Sequence, residues 1–237
     1  MAISTNPLAW LRSVQPRRAI ALLLLLLPLT VGAQTVRDLW LSMPPSLAPY
    51  LSTSLRTQCL DFYDMHTDAQ TDNALKGKSR IDTLTSTFLA ATLSKAHTLQ
   101  MKLLPASGSA SGLGSSLGSG SSSSLSSCDS VLCVVRSWDG PKRDSEVQLF
   151  DRQWKPLLAP LTFSADSFVC RPDTMSEERF SRLVTMLDPI MFSVSLSPAE
   201  NVLLVKLSPV VPNPEDEKAI EQILVQRKLK WDGKTFK

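Results

Sequence analysis

Histidine is the scarcest resource in this sequence, with two among 237 residues, and aromatic side chains make up only 6%. That scarcity excludes a His-rich metal centre and leaves little room for His-based acid–base chemistry. Charge of one sign is also missing, since 25 Lys and Arg face 22 Asp and Glu. No apolar run reaches the roughly 20 residues that a helix needs to cross a bilayer, which excludes a polytopic membrane protein. No repeat of fixed period is present, and the 43% apolar content is that of a globular chain.

What is there begins with an export pattern. Arg12, Arg17 and Arg18 form a basic leader without a single acid, Ala19–Leu29 follows as an apolar run, and Val31-Gly32-Ala33 supplies small residues. This order predicts a secretory signal over 1–33, cleaved between Ala33 and Gln34, and a periplasmic protein with no stable membrane span afterwards. A membrane anchor is the weaker reading because the apolar run is short. No cysteine follows Ala33, so the leader is not of the lipoprotein kind. Cleavage removes three bases and no acid, leaving 22 of each. A neutral mature chain, without a basic stripe interleaved with aromatics, gives no footprint for nucleic acid.

The expected domain runs over 34–237. Leu47, Leu51 and Leu55, with Tyr50, Cys59 and Phe62, predict one amphipathic helix from Pro44 to Met65. His66–Arg80 reads as loop, and Thr83–Leu93 as a strand. Leu99, Met101 and Leu103 alternate with Gln100 and Lys102 in the period of a half-buried strand. Ala106–Ser127 breaks the pattern: 12 of its residues are Ser and 5 are Gly, so it reads as a flexible insertion between strands. A hairpin is expected around Asp139-Gly140-Pro141. Thr174 and Glu177 stand at capping-box spacing ahead of a helix carrying Phe180, Leu183, Val184 and Leu187. Strands are expected around Val194 and Val205. A further helix has Asn213 as its cap and Pro214 at its first position, and a final hairpin turns at Asp232-Gly233. The sum predicts an α+β fold, an antiparallel sheet of about four hairpins packed by three helices.

The motifs that look chemical are weak. Gly77-Lys78-Ser79 has the last letters of a P-loop, but Asp72 stands where the first glycine belongs, and a turn explains it. Gly114-Ser115-Ser116-Leu117-Gly118 spells a nucleophile elbow inside the Ser/Gly stretch, where nothing would strain the serine. Asp64, His66 and Asp68 could offer three ligands, yet they sit at an expected helix end; His97 sits in a turn. Cys59, Cys128, Cys133 and Cys170 allow three pairings. Cys133, within an apolar strand, reads as core, and one disulfide, Cys59–Cys170 or Cys128–Cys170, is conceivable. No catalytic, cofactor-binding or metal-binding residue is assigned.

Met43-Pro44-Pro45-Ser46-Leu47-Ala48-Pro49-Tyr50-Leu51, Leu75-Lys76-Gly77-Lys78-Ser79, Gln100-Met101-Lys102-Leu103-Leu104-Pro105, Trp154-Lys155-Pro156-Leu157 and Lys230-Trp231-Asp232-Gly233-Lys234 together resemble an exported-protein family of Bacteroidales known as domain of unknown function 3256. The resemblance implies export and an uncharacterised role, and brings no catalytic residues. It also implies O-glycosylation at Asp followed by Ser or Thr and a small or aliphatic residue. Thr83, Ser130 and Thr174 fit those letters, and Ser130 is expected to be the most accessible. The function expected is a non-catalytic envelope module that binds a protein or glycan, with a hydrolase assembled from scattered residues as the alternative.

Overall fold

In the computed structural model, residues 34–106, 130–211 and 213–237 are described. The expected leader (1–33), the Ser/Gly stretch from 107, its Gly114–Gly118 motif and Cys128 lie outside the described residues.

The chain enters the core at once. Thr35 and Asp38 form a capping box, the Asp38 carboxylate accepting the Thr35 N–H at 2.7 Å, and open helix α1, Val36–Ser42. Val36, Leu39 and Trp40 are fully buried. The single helix expected from Pro44 to Met65 is corrected here: Leu47 and Leu51 are buried by two successive turns, and helix α2 spans only Thr53–Asp64, capped by Ser52. Pro49 is the reason, since it has no N–H to donate within a helix. Arg56 is 2% exposed, and its Nη2 donates to Leu41 O at 3.1 Å, setting a cation at the negative end of α1.

The expected loop His66–Arg80 contains instead a short hairpin of β1, Thr71–Asp72, and the start of β2, Lys78–Leu84. Asn73 makes the turn, its Oδ1 accepting from the N–H groups of Leu75 and Gly77 at 3.0 Å each. Thr83–Leu93 is likewise two elements. The Thr85 hydroxyl accepts the Phe88 N–H at 2.9 Å and turns the chain from β2 into β3, Phe88–Ser94. Then follow β4, His97–Pro105, β5, Ser130–Asp139, and β6, Arg143–Phe150. Every neighbour in the order β1-β2-β3-β4-β5-β6 is antiparallel.

A 3-10 turn, Ala165–Phe168, and helix α3, Glu177–Thr185, lead to a second antiparallel sheet. The α3 cap is Ser176, whose hydroxyl accepts from Arg179 N–H, and not Thr174, which lies exposed in the preceding turn. The second sheet has the order β7-β8-β9, with β7 Phe192–Leu196, β8 Val202–Leu207 and β9 Arg227–Lys230. Helix α4, Pro214–Glu221, precedes β9, with Asn213 as its cap as expected. Among the described residues this is an α+β fold of two antiparallel sheets and four α-helices, one more helix than the pattern predicted.

Both faces of the six-stranded sheet are covered. Leu89, Leu99, Met101 and Val134 bury one face against α1 and α2, while Cys133, Val135 and Leu149 bury the other under the second sheet, α3 and α4. The expected half-exposure of β4 is thereby corrected: Lys102 is 2% exposed. The two sheets meet along β7, whose outward N–H groups find side chains. Phe192 donates to Asp144 Oδ1 at 3.2 Å, Val194 to Ser145 Oγ at 3.1 Å and Leu196 to Gln100 Oε1 at 2.7 Å. An edge strand is satisfied this way without a strand partner.

Candidate functional site

Where β8 ends and the chain turns into α4, Leu207, Pro209, Val211, Ile220 and Leu224 line a groove of about 300 Å³. Asn213 Oδ1 accepts Glu215 N–H at 3.1 Å, fixing where α4 begins and so where Ile220 faces inward. Lys142, from the β5–β6 turn, reaches Glu217 at 2.5 Å and closes one side of the rim. Lys206 and Glu221, also on the rim, have no ion-pair partner among the described residues. The floor is apolar, the rim carries both signs, and no histidine, cysteine or aspartate lines it. Such a surface can hold an apolar side chain between polar flanks.

A second groove, of about 460 Å³, lies between the end of α2 and β2 and is polar. It brings together His66, Asp68, Arg80 and Asp82, with Cys59 at its base. Asp82 and Cys59 already have tasks. The Asp82 carboxylate takes Arg80 Nε at 2.7 Å and the Thr92 hydroxyl at 2.7 Å. Burial pushes the Cys59 thiol up, and its Sγ faces Ser79 O at 3.9 Å. That is the protonated, unreactive form. His66, at φ 51°, ends α2 in the left-handed region.

The three candidate ligands Asp64, His66 and Asp68 do not converge on one point. Asp64 turns away to Arg37, which grips it through Nη1 at 2.7 Å and Nη2 at 2.6 Å, and these bonds hold its carboxyl below the usual range. Among the described residues, no group of three His, Cys, Asp or Glu side chains is arranged around a metal-sized point. His97 is 7% exposed, bonded at Nδ1 to the Tyr50 hydroxyl and stacked on Trp138 with ring centroids 5.1 Å apart. Burial first, and then the charge of Arg136, pushes its pKa down, so this imidazole is a neutral packing group.

Gly77-Lys78-Ser79 is the Asn73 turn and its exit; Lys78 pairs with Asp72 at 2.6 Å. Cys133 is fully buried core, as its apolar neighbours predict. Cys59 and Cys170 are both free thiols, one buried and one exposed, which corrects the disulfide reading. Cys59 belongs to the core beneath α2, whereas Cys170 pairs its N–H with Ile223 O beside α4. Ser130 is 8% exposed and its hydroxyl accepts from Arg152 Nε at 2.8 Å. The expected accessibility therefore belongs to Thr174, which is exposed, and not to Ser130 or the half-buried Thr83.

Two features escaped the sequence pattern. The groove is assembled from β8, the turn after it and α4, and only Ile220 and Leu224 announced themselves as inward-facing. Lys102 was the other. Its Nζ donates to three carbonyls of the β7–β8 turn, Ser197 at 2.6 Å, Pro198 at 3.1 Å and Glu200 at 2.8 Å. All three donors are engaged, so it is a clasp and not a nucleophile.

A family model described as "Protein of unknown function (DUF3256)" matches residues 28–113 and 123–236. No curated protein matches the chain. Among solved structures, a domain of an uncharacterized protein from Porphyromonas gingivalis W83 is similar in fold, with a TM-score of 0.62 at 22% identity, over 85% of this chain and 98% of that one. Among the described residues, no helix is long and apolar enough to cross a membrane.

Proposed function

From the premise that the chain belongs to the DUF3256 family of proteins of unknown function, we propose that it is an exported, periplasmic binding or assembly module without a catalytic site. Its ligand surface is the groove between β8 and α4. The observation that carries this reading is the contrast between the two grooves. The polar one has Asp82 committed to Arg80 and Thr92 and Cys59 buried as a thiol, whereas the apolar one has at its rim a cation and an anion without an ion-pair partner among the described residues. A partner segment with one apolar side chain between polar neighbours fits the second.

Export is supported by the order of residues 1–33 and by the position of the first helix. The Thr35–Asp38 capping box lies wholly after the expected cleavage point, so removal of the leader leaves α1 its cap. Sequencing the N-terminus of the mature protein is expected to begin at Gln34; an N-terminus at Met1 would contradict it.

Selection of random twelve-residue peptides on the purified full chain tests the binding reading. Enriched peptides are expected to carry an apolar residue, and to lose binding when Val211→Asp puts a charge on the groove floor. Hydrolysis of p-nitrophenyl esters or glycosides that disappears in His66→Ala would replace this reading with the hydrolase.

A further inference from the structure

The second sheet has a face that nothing in the fold uses. Lys230 and Lys237 exchange both backbone hydrogen bonds, N–H to O at 2.6 and 2.9 Å, so they stand directly opposite each other with side chains on one face. Lys228, two residues before Lys230, shares that face. It is opposite Leu204, which places Lys206 on the same side of β8. Lys206 in turn is opposite Ser193, and Leu204 opposite Ser195. Four lysines therefore run across β8, β9 and the C-terminal return, with two serine hydroxyls beside them. All four lysines are exposed.

The other face of this sheet is core. Val194, Leu196, Leu203, Val205 and Leu229 point there, toward α3, α4 and the first sheet. Trp231 and Phe236 turn the same way, their rings 5.1 Å apart and packed against the core. The lysine face is thus without an exposed aromatic ring.

Charge is segregated as well. Residues 227–237 hold five bases against one acid, while the acids Glu215, Asp216 and Glu217 open α4 on the core side. Two carboxylates answer the lysine row: Glu200 pairs with Lys228 and Asp232 with Lys237. Among the described residues Lys206 and Lys230 form no direct ion pair, although Lys230 stands near enough to Glu200 to help hold its carboxyl below the usual range. Four ammonium groups against two carboxylates on one hydroxyl-lined face present complementarity to a polyanion.

We propose that this face binds an acidic polysaccharide, its carboxylates meeting the lysine row and its hydroxyls meeting Ser193 and Ser195. The alternatives lack what they need. Single-stranded nucleic acid calls for aromatic rings on which bases stack, and here the rings face the core. Binding in a membrane interface calls for an apolar face to insert, and of the two apolar side chains in the row, Val202 and Leu204, the first is buried. Lys206 also stands on the rim of the α4 groove, so the two readings are told apart by Val211→Asp, which charges the groove floor and should leave binding to the lysine face unchanged.

The test uses the full chain and polygalacturonate as the probe, with dextran as the uncharged polymer. The decisive variant is the double substitution Lys206→Gln, Lys230→Gln. It removes two charges and leaves the Lys228–Glu200 and Lys237–Asp232 pairs in place, so the melting temperature should stay close to that of the wild type. Wild-type protein is expected to bind polygalacturonate and not dextran, with affinity falling as salt rises from 20 to 200 mM. The double variant is expected to bind roughly tenfold more weakly, because long-range attraction at low salt sums over the row. Lys218→Gln, on α4, should leave binding unchanged. Equal binding by wild type and double variant, or equal binding to dextran, overturns the proposal. Tighter binding to oligothymidylate or to phosphatidylglycerol vesicles than to polygalacturonate overturns it too, and names the polyanion that replaces it.

Discussion

Lys102 in the middle of the first sheet donates to the carbonyl of Ser197 in the second, at 2.6 Å, across 95 residues of sequence. With Pro198 O and Glu200 O it completes three hydrogen bonds, and Gln100 next along the same face takes Leu196 N–H. The joint between the sheets is therefore polar and directional, set into an apolar core.

Removing that clasp leaves three carbonyls without their donor. Lys102→Met is expected to lower unfolding stability by about 2–4 kcal/mol, the range for breaking a buried charge-assisted network. Urea denaturation of wild type and variant checks it, and a change under about 0.5 kcal/mol, the scale of ordinary surface substitutions, would mean the bonds are idle.

His97 gives stability a pH dependence of predictable sign. Its folded pKa lies below the ordinary value of 6.5, so the unfolded chain takes up a proton first as pH falls. The contribution is fully present above about pH 6.5 and is lost on descending through that value toward the lower folded pKa. Urea midpoints at pH 7.5 and 5.5 should differ in the wild type, and the difference should shrink in His97→Gln.

The helix cap distinguishes sequence pattern from structure. Thr174-x-x-Glu177 satisfies the spacing rule, yet Ser176 holds the N–H of Arg179 and Glu177 is already helical. Ser176→Ala is expected to cost about 1 kcal/mol, and Thr174→Ala less than about 0.5 kcal/mol. Thermal melts of the two variants decide between the caps.

The cysteines differ by burial. Cys59 and Cys133 are buried, with pKa values pushed up by desolvation, while Cys170 is exposed. Brief labelling of native protein with iodoacetamide, followed by peptide mass mapping, should modify Cys170 and spare Cys59 and Cys133 until the chain is denatured. Labelling of Cys133 at the rate of Cys170 would refute the packing of β5.

Local signals were legible where one side chain or one turn fixes them. Asn213 before Pro214 marked α4, and the Asp139-Gly140-Pro141 turn marked the β5–β6 hairpin. Thr35 and Asp38 spell a capping box just as openly, but the seven residues of α1 are too few for an apolar period to show. Long-range pairing was not legible. Lys102 reads as the polar side of a half-exposed strand, because nothing near it in sequence says that a second sheet lies on that side. The α4 groove and the lysine face have the same origin: each needs the register of β8 against β9, which depends on residues well apart in the chain. The spacing of Leu47, Leu51 and Leu55 misled for a physical reason, since two consecutive turns broken by Pro49 bury every fourth residue as a helix would.

The central claim is that this chain binds through the β8–α4 groove. Titration calorimetry of the most enriched selected peptide into wild-type and Val211→Asp protein tests it most directly. The account predicts saturable binding to the wild type and at least tenfold weaker binding to the variant, whose far-UV circular dichroism should remain that of the folded wild type. Equal affinity for both proteins would contradict it.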